Sequence, residues 1–158
     1  MSLPVQELPL PRPERAADRL LIRLAELIKN SDTVGDVLAA SPGPRLDLVL
    51  ETFTPGRRSY SARLSPGWSA TVTLREKHPF GPRLVLDIHG SPGAESFSDI
   101  CQIAASRFIA ILARAGFSNC VVYGEHNRRL GYALQRGTFG VELTTFGDRR
   151  WIRSVLVR

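Results

Sequence analysis

Apolar and polar residues alternate with two different periods along this chain, and each change of period marks an element. Ala17, Leu20, Leu21, Leu24, Leu27 and Ile28 recur at three-to-four spacing opposite Arg15, Arg19, Arg23 and Glu26. That spacing predicts an amphipathic helix from Pro13 to about Asn30. A shorter helix is predicted from Thr33 to Ala40, burying Val34, Val37 and Leu38 before Pro42-Gly43-Pro44 stops it. The period then falls to two. Strands are predicted at Leu46–Phe53, Ser59–Leu64, Trp68–Arg75 and Arg83–His89, bounded by turn residues such as Thr54-Pro55-Gly56 and Ser65-Pro66-Gly67.

A helical period returns between Ser91 and Gly116. Phe97, Ile100, Cys101, Ala104, Phe108, Ile111, Leu112 and Ala115 form one stripe that Ile103 and Ile109 widen. So broad a stripe predicts a central helix buried on two sides, by a sheet and by the first helix or a partner chain. Four further strands follow at Cys120–Tyr123, Leu130–Gln135, Phe139–Thr145 and Trp151–Val157. Grouped rather than alternating elements give an α+β fold: N-terminal helices, an antiparallel four-strand unit, a central buried helix and a second antiparallel four-strand unit. The two units echo each other. Each has a basic turn, a Gly-aromatic corner and a second basic loop in the same order, as a duplication would produce, and as two similar meanders would also produce.

The first residues change the picture at one end. Pro4, Pro9, Pro11 and Pro13 break any helix, so residues 1–12 read as a flexible proline-rich tail and residues 13–158 as one α+β domain. There is no unbroken apolar run for a signal peptide or a membrane span, and the expected location is the cytoplasm. Cys101 and Cys120 fall on a predicted helix and a predicted strand without a metal-binding spacing, which reads as two buried free thiols.

Charge sharpens the expectation because of where it lies. The formal net charge is +6, and residues 45–90 and 117–158 carry seven basic and four acidic, and seven basic and three acidic side chains respectively. The two strand units thus hold the whole excess. Arginine outnumbers lysine 19 to 2. A GC-rich genome accounts for much of that ratio, but not for the position of the charge. The arginines interleave with aromatics on strands and their loops, the residue mix with which single-stranded nucleic acid is held: guanidinium groups on phosphates and rings on bases.

The candidate nucleic-acid-binding residues are therefore Arg57, Arg58, Arg128, Arg129, Arg149 and Arg150 for phosphates, with Tyr60, Tyr132 and Trp151 for stacking. The two paired-arginine turns occupy equivalent places in the two halves and are expected on one binding edge. Parity opposes part of this set, since Tyr60 aligns with Ala62 and Leu64, and Tyr132 with Leu130 and Leu134, so these rings compete for core positions.

Catalytic chemistry is less coherent. The ten residues Leu84–Gly93, with His89-Gly90-Ser91 at their end, resemble the strand-to-loop segment that shapes the oxyanion hole in α/β-hydrolases, but no Gly-x-Ser-x-Gly elbow follows. His78, His89 and His126 lack metal-ligand spacing, and a meeting of Ser91, Asp99 and His126 depends on tertiary geometry. The glycines of Arg136-Gly137-Thr138-Phe139-Gly140 sit between strands rather than before a helix, unlike a phosphate loop. No cofactor is expected, and whether the chain is an enzyme stays open.

By element order alone, four strands, a helix and four more strands are similar to Whirly-type and Pur-type nucleic-acid-binding proteins. The N-terminal helices and the lack of a clear final helix depart from that pattern, and the arginine–aromatic interleaving itself gives the expectation of a non-enzymatic protein contacting single-stranded or structured RNA or DNA through arginine-rich strand edges and turns. The alternative is a protein-interaction module, a secretion-chaperone-like dimer or a subunit of a larger assembly, with the tail or the central helix as its binding surface and homo-oligomers as one outcome. Secretion chaperones are usually acidic, whereas this sequence has a pI near 10.1.

Overall fold

The computed structural model describes residues 15–123, 129–147 and 150–158, and of residues 123, 129 and 130 the backbone alone. The proline-rich tail thus lies outside the described residues. Helix α1, Ala16–Lys29, buries Leu20, Leu21, Leu24, Ala25, Leu27 and Ile28, the stripe its spacing demands. Helix α2, Val34–Ala39, opens with a capping box in which the Asp36 amide donates to Thr33 Oγ1 and the Thr33 amide to Asp36 Oδ2, each at 3.2 Å. The prolines expected only to stop it instead start a further turn, α3, Pro42–Arg45, because proline at a first helical position is already set for the helix. The first strand accordingly begins three residues later than expected, and Leu46 is buried at the end of α3.

Eight strands follow: β1 Val49–Thr54, β2 Arg57–Ser65, β3 Trp68–Arg75, β4 Arg83–Gly90, β5 Ser118–Tyr123, β6 Arg129–Arg136, β7 Phe139–Thr145 and β8 Ile152–Val157. They form one antiparallel sheet in the order β1-β2-β3-β4-β8-β7-β6-β5. The separation into two four-strand units is therefore absent at the level of the sheet. β4 pairs directly with β8, Leu84 opposite Val157 and Leu86 opposite Val155.

The central helix also differs from expectation. Residues 91–96 are turn and extended chain; α4 spans Phe97–Ile100 and α5 spans Ala105–Arg114, with Cys101–Ala104 unwound between them. The break has a visible cause in α1. The buried Asp18 carboxylate accepts the Gln102 amide at 2.7 Å and the Ile103 amide at 3.1 Å, and the Arg15 guanidinium donates to the Asp99 carbonyl. Charge-assisted bonds to Asp18 replace helical ones, so the chain stays extended while Cys101 and Ile103 remain in the core.

The helices cover one face of the sheet. Ala70, Val72 and Leu74 of β3, Leu84, Leu86 and Ile88 of β4, Val155 and Val157 of β8, and Val141 and Leu143 of β7 are buried in one core with the apolar residues of the helices. One side chain ties this layer together. Arg136 donates to the Ser31 carbonyl beyond α1 and to the Ala115 carbonyl at the end of α5 (2.8 Å), and its guanidinium lies 4.5 Å from the Phe117 ring. It meets two helix C-termini, where the unpaired carbonyls carry partial negative charge. At the other end of the sheet Trp68, Phe97, Phe146 and Trp151 form an aromatic cluster with ring centroids 5.1–6.3 Å apart. No helix among the described residues is long and apolar enough to cross a membrane.

Candidate functional site

Among the described residues no helix lies on the second face of the sheet, and strand register decides what it displays. Period-two alternation puts Ser59, Ser61, Thr71, Thr73, Thr144 and Ser154 on it, a surface of short hydroxyls with the Asp87 carboxylate among them and Val85 and Leu156 side by side. At one end of that face the register collects arginines. Arg57 pairs with Arg75, Arg75 with Arg83, and the β4–β8 register continues from Leu84 opposite Val157 to set Arg83 beside Arg158. Four arginines thus stand in register at the ends of four adjacent strands, their backbones spanning about 14 Å at a strand spacing of about 4.8 Å.

Like charges on directly opposed strand positions repel. Relief inside the molecule is slight: Arg158 Nη2 reaches Glu142 Oε1 at 2.9 Å, and among the described residues no carboxylate lies within ion-pair distance of Arg57, Arg75 or Arg83. Arg83 Nε is buried with no hydrogen-bond partner. Nearby, in the loop from β3 to β4, partial desolvation and then the charges of Arg83 and Arg75 hold the His78 imidazole below its ordinary value. At this end of the sheet Glu142 is the one carboxylate among the described residues that pairs with an arginine of the set.

The loop that carries His78 also carries Phe80, which is 85% exposed. Its amide donates to His78 Nδ1 at 3.1 Å, and the two rings are 5.7 Å apart. Beside Phe80 a cavity of about 350 Å³ opens over β5, β6, β7 and β8, with Arg158, Glu142, Gln135 and Ser118 in its lining. The small residues Gly140 and Ala133 form its floor, and their lack of bulk makes the hollow.

The chain matches no family model, no curated protein and no solved structure. What it does is therefore read from the surface itself.

Of the residues expected to bind, Arg57 lies in the arginine line. Arg58 points to the opposite face, where its Nη2 meets Glu76 Oε1 at 2.9 Å. The three rings expected to stack lie as follows. Tyr60 is 9% exposed and packs so closely over Gly43 that a Cβ there would sit 2.4 Å from its ring. Trp151 is 7% exposed within the aromatic cluster, under the Arg150 guanidinium at 4.8 Å, and Tyr132 is half-buried against the core. Tyr60 sits opposite Val72, and Tyr132 opposite Leu143, so their parity commits these rings to the helix-covered side.

The described parts of the two paired-arginine turns lie at different ends of the sheet. The β4–β8 pairing inverts the second run of strands, so Arg57 and Arg58 stand at the end of the sheet where β6 finishes, whereas Arg129 stands where β6 begins. Eight residues of strand, roughly 23 Å at about 3.3 Å each, separate those two ends. Arg150 belongs to the far end with Arg129. Arg128 and Arg149 lie outside the described residues.

Sequence reasoning missed Arg75, Arg83, Arg158 and Phe80 as a set. The signal was present: an arginine closes β3, opens β4 and follows β8, positions that hairpin reversal brings to one end. Seeing it requires the β4–β8 pairing, which joins residues some 70 positions apart and which no local pattern encodes. Catalytic candidates do not assemble here. His89 Nε2 bonds Thr71 Oγ1 at 2.9 Å, Ser91 Oγ donates to the Gly67 carbonyl, and His126 is outside the described residues. Among the described residues no cluster of His, Cys, Asp or Glu is suited to a metal ion. The likeness of Leu84–Gly93 to a hydrolase segment ends at the sheet, which is antiparallel where that chemistry stands on parallel strands.

Proposed function

We propose that this protein binds nucleic acid on the uncovered face of its sheet, without chemistry, through phosphate contacts of Arg57, Arg75, Arg83 and Arg158. The observation that carries the reading is the set of four arginines in register across adjacent strands, with one carboxylate ion-pair partner among them. A row of arginines with a single carboxylate partner suits an anion of repeating charge, and guanidinium forks fit phosphate oxygens two at a time. A hydroxyl-rich surface beside the row supplies further donors to the backbone. Equivalence of the two strand runs belongs to the same proposal, because each is a four-strand meander and they meet through their last strands. Superposing β1–β4 on β5–β8 strand for strand tests it, and a mismatch of register refutes it.

The test of binding is a fluorescence-anisotropy titration against single-stranded RNA, single-stranded DNA and duplex DNA at two salt concentrations. Affinity that falls steeply with salt is expected. The double variant Arg75→Glu with Arg83→Glu should abolish it while circular dichroism stays unchanged; undiminished binding by that variant sinks the assignment.

A second reading has one observation of its own. Val49, Leu50 and Phe53 are more than half exposed on β1, the outermost strand, whose outer backbone groups have no strand beside them. Antiparallel addition of a second copy along β1 would cover both. Sedimentation equilibrium of the protein and of Phe53→Lys decides: a monomer at every concentration removes this reading.

A further inference from the structure

We propose that the cavity beside Phe80 receives one unpaired nucleobase, so that this face selects single-stranded over duplex nucleic acid. The inference rests on the phosphate-binding reading above and adds to it what happens at the end of the arginine row. That row does not stop at Arg158. In the same register it continues through Gly140, Gln135 and Ser118, so the line of positive charge runs directly onto the floor of the hollow. A strand whose phosphates follow Arg57, Arg75, Arg83 and Arg158 is led to the cavity with a base to place.

The hollow has the features a base needs. Its volume of about 350 Å³ lies at the small end of ligand sites, the scale of a single mononucleotide rather than of a helix. Phe80 is part of the lining, an aromatic ring 85% exposed with His78 tilted beside it at 39°. Every base has a π-face that stacks on such a ring whatever its sequence. Other parts of the lining are polar. The Gln135 side-chain amide donates to the Gly137 carbonyl at 2.8 Å, which fixes the group and leaves its oxygen to accept from a base edge. Glu142 and Arg158 place an acceptor and a donor beside it. Bases paired inside a duplex keep their faces stacked on one another and cannot enter.

Phe80 is so exposed that its replacement leaves the core untouched, which makes it the variant of choice. Anisotropy titrations would use the full chain with a labelled single-stranded oligonucleotide, the same oligonucleotide made abasic throughout, and a duplex of equal length. Phe80→Ala and Phe80→Leu are each expected to weaken binding of the intact single strand about tenfold or more. Phe80→Tyr should restore it. All three variants should bind the abasic strand as the parent does, with the salt dependence unchanged. Wild-type affinity in Phe80→Leu, or equal affinity for intact and abasic strands, overturns the base site while leaving the phosphate row standing. Loss of every polyanion, abasic strand included, by the parent protein overturns both.

Discussion

Single residues in this protein show how environment divides identical chemistry. Burial pushes the Cys101 thiol up to about 12, whereas Cys120 stands exposed on β5. The thiolate is the reactive form, so at pH 8 a colorimetric thiol reagent should modify Cys120 in the folded protein, and Cys101 only after denaturation. Rapid reaction of two thiols in the native state would contradict the packing around the Asp18 clamp. His78 offers a second probe. Its imidazolium is disfavoured by partial desolvation and then by Arg83 and Arg75, so its protonation in an NMR titration should occur at lower pH than that of a free imidazole. A polyanion seated on the row neutralises the arginine contribution and should move that titration upward. An unmoved midpoint with bound oligonucleotide would place the phosphates elsewhere. The arginines divide in the same manner: Arg136 joins two helix ends and stacks on Phe117, while Arg75 lies half-buried in register with Arg57 and Arg83.

At the scale of elements, close approach governs what each strand tolerates. A Cβ on Gly131 would lie 1.9 Å from the Leu143 carbonyl oxygen and 3.1 Å from Thr144 Cα, both backbone atoms of β7 that cannot swing aside. Gly131→Ala should therefore destabilise the fold by about 1–3 kcal/mol, read as a lower urea midpoint at unchanged slope. A midpoint equal to the parent's would mean that β6 and β7 pair in another register. Most strand positions were legible because β-branched and aromatic residues alternate between turn residues, and β3 and β7 follow that alternation end to end. The central helix was legible as apolar spacing and wrong as a helix. Its stripe survives in Phe97, Cys101, Ile103, Phe108 and Leu112, all buried, but Asp18 competes for the amides of residues 102 and 103 from 84 positions away. Periodicity reports which residues are buried; it does not report a tertiary hydrogen bond that unwinds one turn.

For the whole molecule, the central question is whether its net charge of +6 acts as a diffuse cloud or as a placed row. The sequence located the excess in the strand-rich segments, and the sheet then sorts it, sending Arg58 to the helix side and Arg57, Arg75, Arg83 and Arg158 to one end of the open side. Salt dependence separates the two cases. If four phosphates displace their counterions on the row, the logarithm of the association constant for single-stranded nucleic acid should fall with the logarithm of salt at a slope of about −2.8, about 0.7 per contact. Arg75→Ala with Arg83→Ala removes two contacts, and the slope should fall to about −1.4. Arg107→Ala with Arg114→Ala removes the same formal charge from α5, on the far side of the sheet. A diffuse cloud responds to both pairs alike, because each lowers the net charge by two. A placed row responds only to the first, so equal slopes for the two double variants would refute the binding face while leaving the fold as described.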